Sequence, residues 1–296
     1  MFTIKKIFFI LITFFIFTNS ICFSQTGWIP QISGTTDSLK SVRFLNINTG
    51  WTVGTNGVIL RTTNSGTSWM KMKNAFTKDL QSVCVISDLV CFTAGDSGLI
   101  LKTTNSGNNW SNPNSHVSVK LNSIFFINAQ TGFSTGNDGT IIKTIDSGSS
   151  WFILASNTGI QLNSIHFSDP DKGWVCGYGG IFHTTNGGAQ WSPQFIDGNL
   201  ILSSIYFTDP QHGWSGYYDN STFGPENVRT TDGGLSWTNH PMNNSYSISL
   251  FFISENKGWS SGFYGSIMYS TNSGTAWTQQ LSGTIEHLRS IYFIDS

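Results

Sequence analysis

Charge is scarce in this chain. Of 296 residues only 10% are Asp, Glu, Lys or Arg, and the formal net charge is −1. Nucleic acid is excluded as a partner, because displacing its counterions requires a basic stripe. Arginine is rarer still, at Arg43, Arg61, Arg229 and Arg289 alone. There are seven prolines and four cysteines. Outside the opening segment, no stretch shows the 3.6-residue hydrophobic period of a helix. What is plentiful is aromatic and flexible: 14% aromatic residues, eleven tryptophans and thirty-one glycines. That balance implies an all-β chain of many short strands and tight turns, and 39% hydrophobic content is enough for a substantial core.

The opening segment reads as a separate object. Lys5 and Lys6 precede an apolar run over residues 7–17, and Cys22-Phe23-Ser24 places small residues before a cut ahead of Gln25. A secretory signal over residues 1–24 is expected, followed by one domain over residues 25–296. The run is shorter than the ~20 residues that span a bilayer, so no transmembrane segment remains after cleavage. Ile21 is bulky where a lipoprotein site at Cys22 would call for a small residue. Losing Lys5 and Lys6 leaves thirteen basic and sixteen acidic residues, net −3. The expected address is exported: periplasmic, cell-surface or extracellular. Cys84, Cys91 and Cys176 would remain, an odd number, which excludes a complete disulfide framework. A cross-strand Cys84–Cys91 bridge stays open, while Cys176 sits at a core position and reads as a buried free thiol.

One eight-residue shape, Ser/Thr-x-Asp/Asn-x-Gly-x-x-Trp, recurs six times. Its copies carry Asn64/Gly66/Trp69, Asn105/Gly107/Trp110, Asp146/Gly148/Trp151, Asn186/Gly188/Trp191, Asp232/Gly234/Trp237 and Asn272/Gly274/Trp277. Successive tryptophans lie 41, 41, 40, 46 and 40 residues apart. A period near 40 is the length of a four-stranded propeller blade. Each unit runs from Leu-x-Ser-Val/Ile-x-Phe through Gly-Trp/Phe-x-x-Gly and a tight turn to Ile-x-Lys/Arg-Thr-Thr and the next box. Apolar residues alternate in the first strand, as in Val42/Phe44 and Ile124/Phe126, and turns such as Asn137-Asp138-Gly139 are strong hairpin signals. In the box itself, Asn or Asp can accept hydrogen bonds from its own turn, Gly supplies a positive φ, and Trp buries a large face. Because a turn role accounts for Asp146 and Asp232, no metal or catalytic role is assigned to them.

These boxes resemble the Asp-box, or BNR, repeats of sialidases, sortilin-like receptors and some glycoside hydrolases. The longer pattern, Gly-Trp-x-x-Gly-x-x-Gly-x-Ile-x-Lys/Arg-Thr-Thr-Asn-Ser/Gly-Gly-x-x-Trp, is most similar to the photosystem II assembly and stability factor propellers, a domain that also occurs in secreted bacterial proteins. The resemblance spans residues 28–296. It implies a non-enzymatic scaffold for a protein partner, with no cofactor. Those relatives contact their partners through a basic surface, whereas this chain is net acidic. A glycan-binding surface module is the alternative, and a sialidase-like glycoside hydrolase a further one.

The chain ends suggest a closed ring. Trp28 reads as an isolated fourth strand, and residues 288–293 as a seventh first strand. Joined, they leave no open sheet edge. Seven four-stranded blades are expected, the seventh incomplete because the next box tryptophan would fall near residue ~318, beyond Ser296. The sequence therefore reads as a C-terminally truncated fragment.

In resembling propellers the fourth-to-first loops and second-to-third turns share the ligand face, with the boxes opposite. On that face the turns of repeats one to three are polar, whereas repeats four to six carry Tyr178, Tyr217, Tyr218, Phe263 and Tyr264. The only sizeable insertion, residues 217–226, adds Phe223. This aromatic arc is the candidate binding surface, as aromatics are enriched in interface cores. All eleven tryptophans occupy repeat positions, so none marks a sugar site. The four arginines occupy two repeat positions in pairs rather than converging on a carboxylate pocket. Asp96 and Asp138, the pair a hydrolase could use, are tight-turn residues. His116, His166, His183, His212, His240 and His287 show no metal-ligand spacing and read as surface or edge residues.

Overall fold

The protein was analysed as a computed structural model, which describes residues 27–219, 225–242 and 247–294. The expected signal segment, residues 1–24, lies outside the described residues. Among those described, the chain is all-β, with three short 3₁₀ turns and no helix long and apolar enough to cross a membrane.

Five antiparallel sheets form a propeller. The first holds β1 (Leu39–Phe44), β2 (Gly50–Gly54), β3 (Ile59–Thr62) and β4 (Met70–Lys71). The second holds β5 (Leu80–Val85), β6 (Cys91–Gly95) and β7 (Ile100–Thr103). The third holds β8 (Leu121–Phe126), β9 (Gly132–Gly136), β10 (Ile141–Thr144) and β11 (Phe152–Leu154). The fourth has six strands: β12 (Leu162–Phe167), β13 (Gly173–Thr184), β14 (Ser192–Phe207), β15 (Gly213–Asp219), β16 (Pro225–Thr230) and β17 (Thr238–Pro241). The fifth holds β18 (Ser247–Phe252), β19 (Gly258–Gly262), β20 (Ile267–Ser270) and β21 (Thr278–Gln280).

The expectation of seven four-stranded blades is thereby corrected to five sheets, for three local reasons. Repeats four and five share one sheet. The rings of Trp174 and His183, nine residues apart on β13, stack at 4.7 Å. Nine extended residues would span about 30 Å, so β13 doubles back, at Gly179 with φ 78°. β14 then runs without interruption from the outer edge of repeat four into the inner strand of repeat five. Elsewhere a serine hairpin-like kink, such as Ser115 Oγ donating to Val117 O, breaks that passage; here Asp197-Gly198 replaces it. In the second sheet, the fourth strand shrinks to a single bridge, Lys102 to Ser111. Finally, residues 288–293 form no ladder.

Those last residues nevertheless fill a place in the ring. Leu288, Ile291 and Phe293 are buried in one cluster with Trp28, Trp259 and Ile267. Trp28 meets Phe293 edge-on at 6.0 Å and its Nε1 donates to Gln280 Oε1 at 2.9 Å. Ile291 N donates to Ser249 Oγ on one side, and Val42 N to Ser290 Oγ on the other, both at 3.3 Å. The segment is thus wedged between β18 and β1.

The boxes are turns, as their hydrogen bonds show. Thr62 Oγ1 donates to Asn64 Oδ1 at 2.9 Å and accepts from Gly66 N at 2.9 Å, and Asn64 Oδ1 also accepts from Ser68 N at 3.0 Å. The same three bonds recur at Asn105, Asp146, Asn186, Asp232 and Asn272. Asp146 and Asp232 are held near pKa 2, chiefly by the hydroxyls of Ser150 and Ser236 and by backbone N–H donors. The box glycines Gly66, Gly107, Gly148, Gly188, Gly234 and Gly274 all take the expected positive φ, between 72° and 90°. Space requires glycine there as well. A Cβ on Gly107, Gly148 or Gly188 would come within 3.0 Å of the second-strand ring of the preceding repeat, Trp51, Phe92 or Phe133, and at Gly234 the Gln194 side chain fills that room.

The box tryptophans do not all bury a large face, and the expectation is corrected for half of them. Trp151, Trp191 and Trp277 are buried, whereas Trp69, Trp110 and Trp237 are only half-buried. The fourth strands that these rings lead into, or the bridge that replaces one, lie at the outer edge of the ring, where one ring face can remain in solvent. Five of the six meet the phenylalanine of the first strand edge-on: Phe44–Trp69, Phe126–Trp151, Phe167–Trp191, Phe207–Trp237 and Phe252–Trp277, at 5.9–6.0 Å. In the second repeat Val85 stands where that phenylalanine would be, and Trp110 meets Trp51 edge-on at 5.9 Å instead. Lys102 and Lys143 cross Phe92 and Phe133 to donate to Ser147 O and Gly187 O in the following boxes, tying neighbouring repeats together.

Candidate functional site

The first strands do not alternate simply along their whole length. Every one of the six carries a register shift between its first and third residues, such as Leu39/Ser41 and Leu121/Ser123. A bulge of this kind re-aims one side chain, and it explains why the apolar spacing reads Leu-x-x-Val-x-Phe rather than period two throughout. The re-aimed residues, with Arg289 in the wedged segment, line a central channel of about 380 Å³.

Three tiers line this channel. The mouth tier is Lys40, Gln81, Asn122, Asn163, Ser203, Ile248 and Arg289; Arg289 thus stands at the Lys40 position, which corrects the expectation that it shares a repeat position with Arg43. Most of it is engaged in clasps to the neighbouring repeat. Lys40 Nζ donates to Asp79 at 2.8 Å, Asn122 Nδ2 to Leu162 O at 2.9 Å, Asn163 Nδ2 to Leu202 O at 2.8 Å and Ser203 Oγ to Ser247 O at 2.9 Å. The middle tier is serine, with Ser41, Ser164, Ser249 and Ser290 on the lining; these four, and Ser82 at the same repeat position, each accept the backbone N–H of the following inner strand at 3.2–3.3 Å. Each keeps its own O–H as a donor.

The floor tier is Arg43, Cys84, Phe125, His166, Tyr206, Phe251 and Tyr292. Successive rings from Phe125 to Tyr292 lie 4.8–5.1 Å apart, and Arg43 covers Tyr292 at 5.2 Å. Burial, with Arg43 nearby, pushes His166 down to about 3, so its imidazole is neutral. Burial pushes Cys84 up to about 11 and Tyr206 up to about 12. At neutral pH the floor therefore carries the Arg43 charge on an otherwise uncharged ring. His166 therefore stands half-buried on the channel floor, with its Nδ1 enclosed, and not at the outer surface or edge expected of it. Sequence reasoning passed over this tier because its residues share a repeat position but not a type; the signal was the fifth letter of Leu-x-Ser-Val/Ile-x-Phe.

The mouth opens on the face of the second-to-third turns. Asn56 N, in one such turn, donates to Asp79 Oδ1 at 3.0 Å, beside the Lys40 contact, and Gln81 Nε2 donates to Asp96 Oδ1 in another at 2.8 Å. The box turns lie at the other end, where Ser65 N donates to Asn48 O at 3.0 Å. Asp96 thus holds Gln81 within its own repeat, and Asp138 occupies a left-handed turn position with φ 55°.

Of the aromatic arc, Tyr264 is 72% exposed and Tyr178 42%. Phe263, half-buried, and Tyr264 both pack edge-on against His287 at 4.8 and 5.4 Å, and Tyr264 N donates to His287 Nδ1 at 3.2 Å. Tyr217 is 3% exposed and its hydroxyl donates to Asn239 Oδ1 at 3.2 Å, so it belongs to the core and not to a surface. Phe223 lies outside the described residues, and for Tyr218 only the backbone is described, paired with Ile201 and Pro225. Among the described side chains, the arc presents two exposed rings, one on β13 and one between β19 and β20. Cys84, Cys91 and Cys176 are free thiols, which closes the Cys84–Cys91 bridge left open by the sequence. Among the described residues no cluster of three His, Cys, Asp or Glu side chains could hold a metal.

Comparison with known proteins agrees with this architecture. A solved structure described as YCF48 bound to D1 peptide is 19% identical, with 89% of each chain covered and a TM-score of 0.73. YCF48 from Cyanidioschyzon merolae is 18% identical over 84% of this chain and 87% of that one, with a TM-score of 0.67. The Niastella koreensis GH74 enzyme is 15% identical over 83% of this chain but 46% of that one, with a TM-score of 0.68. At these identities the likeness is one of fold. No curated protein sequence matches the chain. The family profile described as photosynthesis system II assembly factor YCF48 matches residues 23–122 and 113–201. With more than half of its residues inside that profile, the chain belongs to the photosynthesis system II assembly factor YCF48 family.

Proposed function

We propose that the chain is an exported, non-enzymatic scaffold that holds a protein partner on the face bearing the channel mouth. One observation carries the reading: Tyr264, 72% exposed, sits on a tight turn with its backbone anchored to His287 and its ring tilted against Phe263 at 6.4 Å. An exposed ring held on a rigid turn supplies contact area at little entropic cost. Tyr178 is the second such ring on the same face. The family membership supports this reading, as does the relative described with a bound D1 peptide. The opposite face is used up by box turns that satisfy their own hydrogen bonds.

A photo-crosslinking residue in place of Tyr264 or Tyr178, expressed in the native host, tests this. Discrete protein adducts are expected from both positions and none from Ser68 on the box face, with the chain recovered from the exported fraction. Recovery in the cytosol would overturn the address. Release of reducing ends from xyloglucan by the purified chain, without protein adducts, would establish glycan turnover instead.

A further inference from the structure

We propose that the central channel binds a small free oxyanion, a carboxylate or phosphate, held between Arg289 at the mouth and Arg43 on the floor. The argument starts from charge balance. The channel lining contains Lys40, Arg43 and Arg289 and not one carboxylate. Lys40 is neutralised by Asp79 at 2.8 Å, but neither arginine makes an ion pair among the described residues. Arg43 uses one N–H on Val42 O at 3.0 Å and lays its face on Tyr292, leaving the rest of its donor fork uncommitted. Guanidinium groups in concave, partly dehydrated sites are suited to bidentate oxyanion contacts.

Unmet hydrogen-bonding capacity in the same cavity points the same way. Middle-tier serines such as Ser164 and Ser249 accept from backbone N–H groups and so retain hydroxyl protons to donate inward. A volume of about 380 Å³ accommodates phosphate or citrate with water. The aromatic floor limits depth, which favours a compact ligand over a threaded chain. This proposal concerns a small ligand inside the ring and does not depend on the protein partner outside it.

The test is thermal unfolding of the purified chain in a phosphate-free, low-salt buffer titrated with inorganic phosphate, citrate, or sodium chloride matched for ionic strength. A ligand that binds only the folded state raises Tm with saturation. Saturable stabilisation by phosphate or citrate beyond that of chloride is expected, and whichever acts identifies the oxyanion class. Loss of one charge-assisted contact should weaken the apparent affinity about tenfold in Arg43→Gln and in Arg289→Gln. Lys73→Gln, at an exposed site, should respond as wild type. If Arg43→Gln does not fold, Arg289→Gln at the open mouth decides. The proposal is overturned if neither anion exceeds chloride, or if the arginine variants titrate like the parent.

Discussion

Replacing Thr144 by Val tests whether the box is held by its first hydroxyl. Thr144 is fully buried, and Val matches its shape. The hydroxyl donates to Asp146 Oδ1 at 2.8 Å and accepts from Gly148 N at 2.9 Å. Valine leaves that glycine N–H buried with no acceptor, an effect that costs about 1–3 kcal/mol. Asp146 itself loses little, since Ser149 N, Ser150 N and Ser150 Oγ still reach it. About 2 kcal/mol is therefore expected, which for a domain of this size lowers Tm by roughly 4–8 °C. Thr144→Ser supplies the control. Ser270 performs the same two roles in the last box, donating to Asn272 Oδ1 and accepting from Gly274 N at 2.9 Å each. Serine removes only a methyl group, about 1 kcal/mol or less. Urea unfolding with an unchanged m-value measures both variants. If Thr144→Val destabilises no more than Thr144→Ser, the hydroxyl does not hold the turn and the reasoning fails.

Other perturbations separate the remaining elements. Trp28→Ala should cost roughly 3–5 kcal/mol and speed proteolytic cleavage within residues 278–294, because Trp28 joins the chain ends through Phe293 and Gln280; a Tm change under about 1 °C would refute that closure. Asp146 and Asp232 have folded pKa values near 2, below the ordinary 3.8, so their stabilisation is complete above pH 4 and lost as pH falls toward 2. The Asp146→Asn/Asp232→Asn chain should lose less Tm across that window than the parent, as four boxes already carry Asn; equal losses count against it. Burial raises the thiols of Cys84 to about 11 and Cys176 to about 12, and that of Cys91 well above normal. A disulfide-exchange reagent should accordingly label none of them in the folded chain from residue 25 and all three in denaturant, and fewer than three would signal a bridge.

How far the chain could be read in advance differs between its parts. The box turns, the inner and second strands and the hairpins were legible because each rests on local chemistry: a glycine at positive φ, an acceptor two residues after a hydroxyl, aromatics at a set offset. Strand counting across repeats was not. Asp197-Gly198 lets β14 run on between two repeats, and nothing local says whether a kink or a continuous strand results. The aromatic arc fails at Tyr217 for a similar reason, since exposure depends on which way a strand residue faces once its hydroxyl finds Asn239. Burial of the box tryptophans divides in the same way: Trp151 and Trp237 stand at one repeat position, yet only the first is covered.

The repeat period, the all-β class and the self-satisfied box turn are properties of sequence alone, because backbone sterics and hydrogen bonds over eight residues suffice to specify them. Only the tertiary structure brings Arg43, His166, Tyr206 and Tyr292, up to 249 residues apart, onto one channel floor. Each stands at the same variable letter of its own repeat. Bulges aim the mouth side chains inward, and the ring bends the seven inner segments around a common axis. The resulting imbalance of charge in the cavity exists in no single repeat.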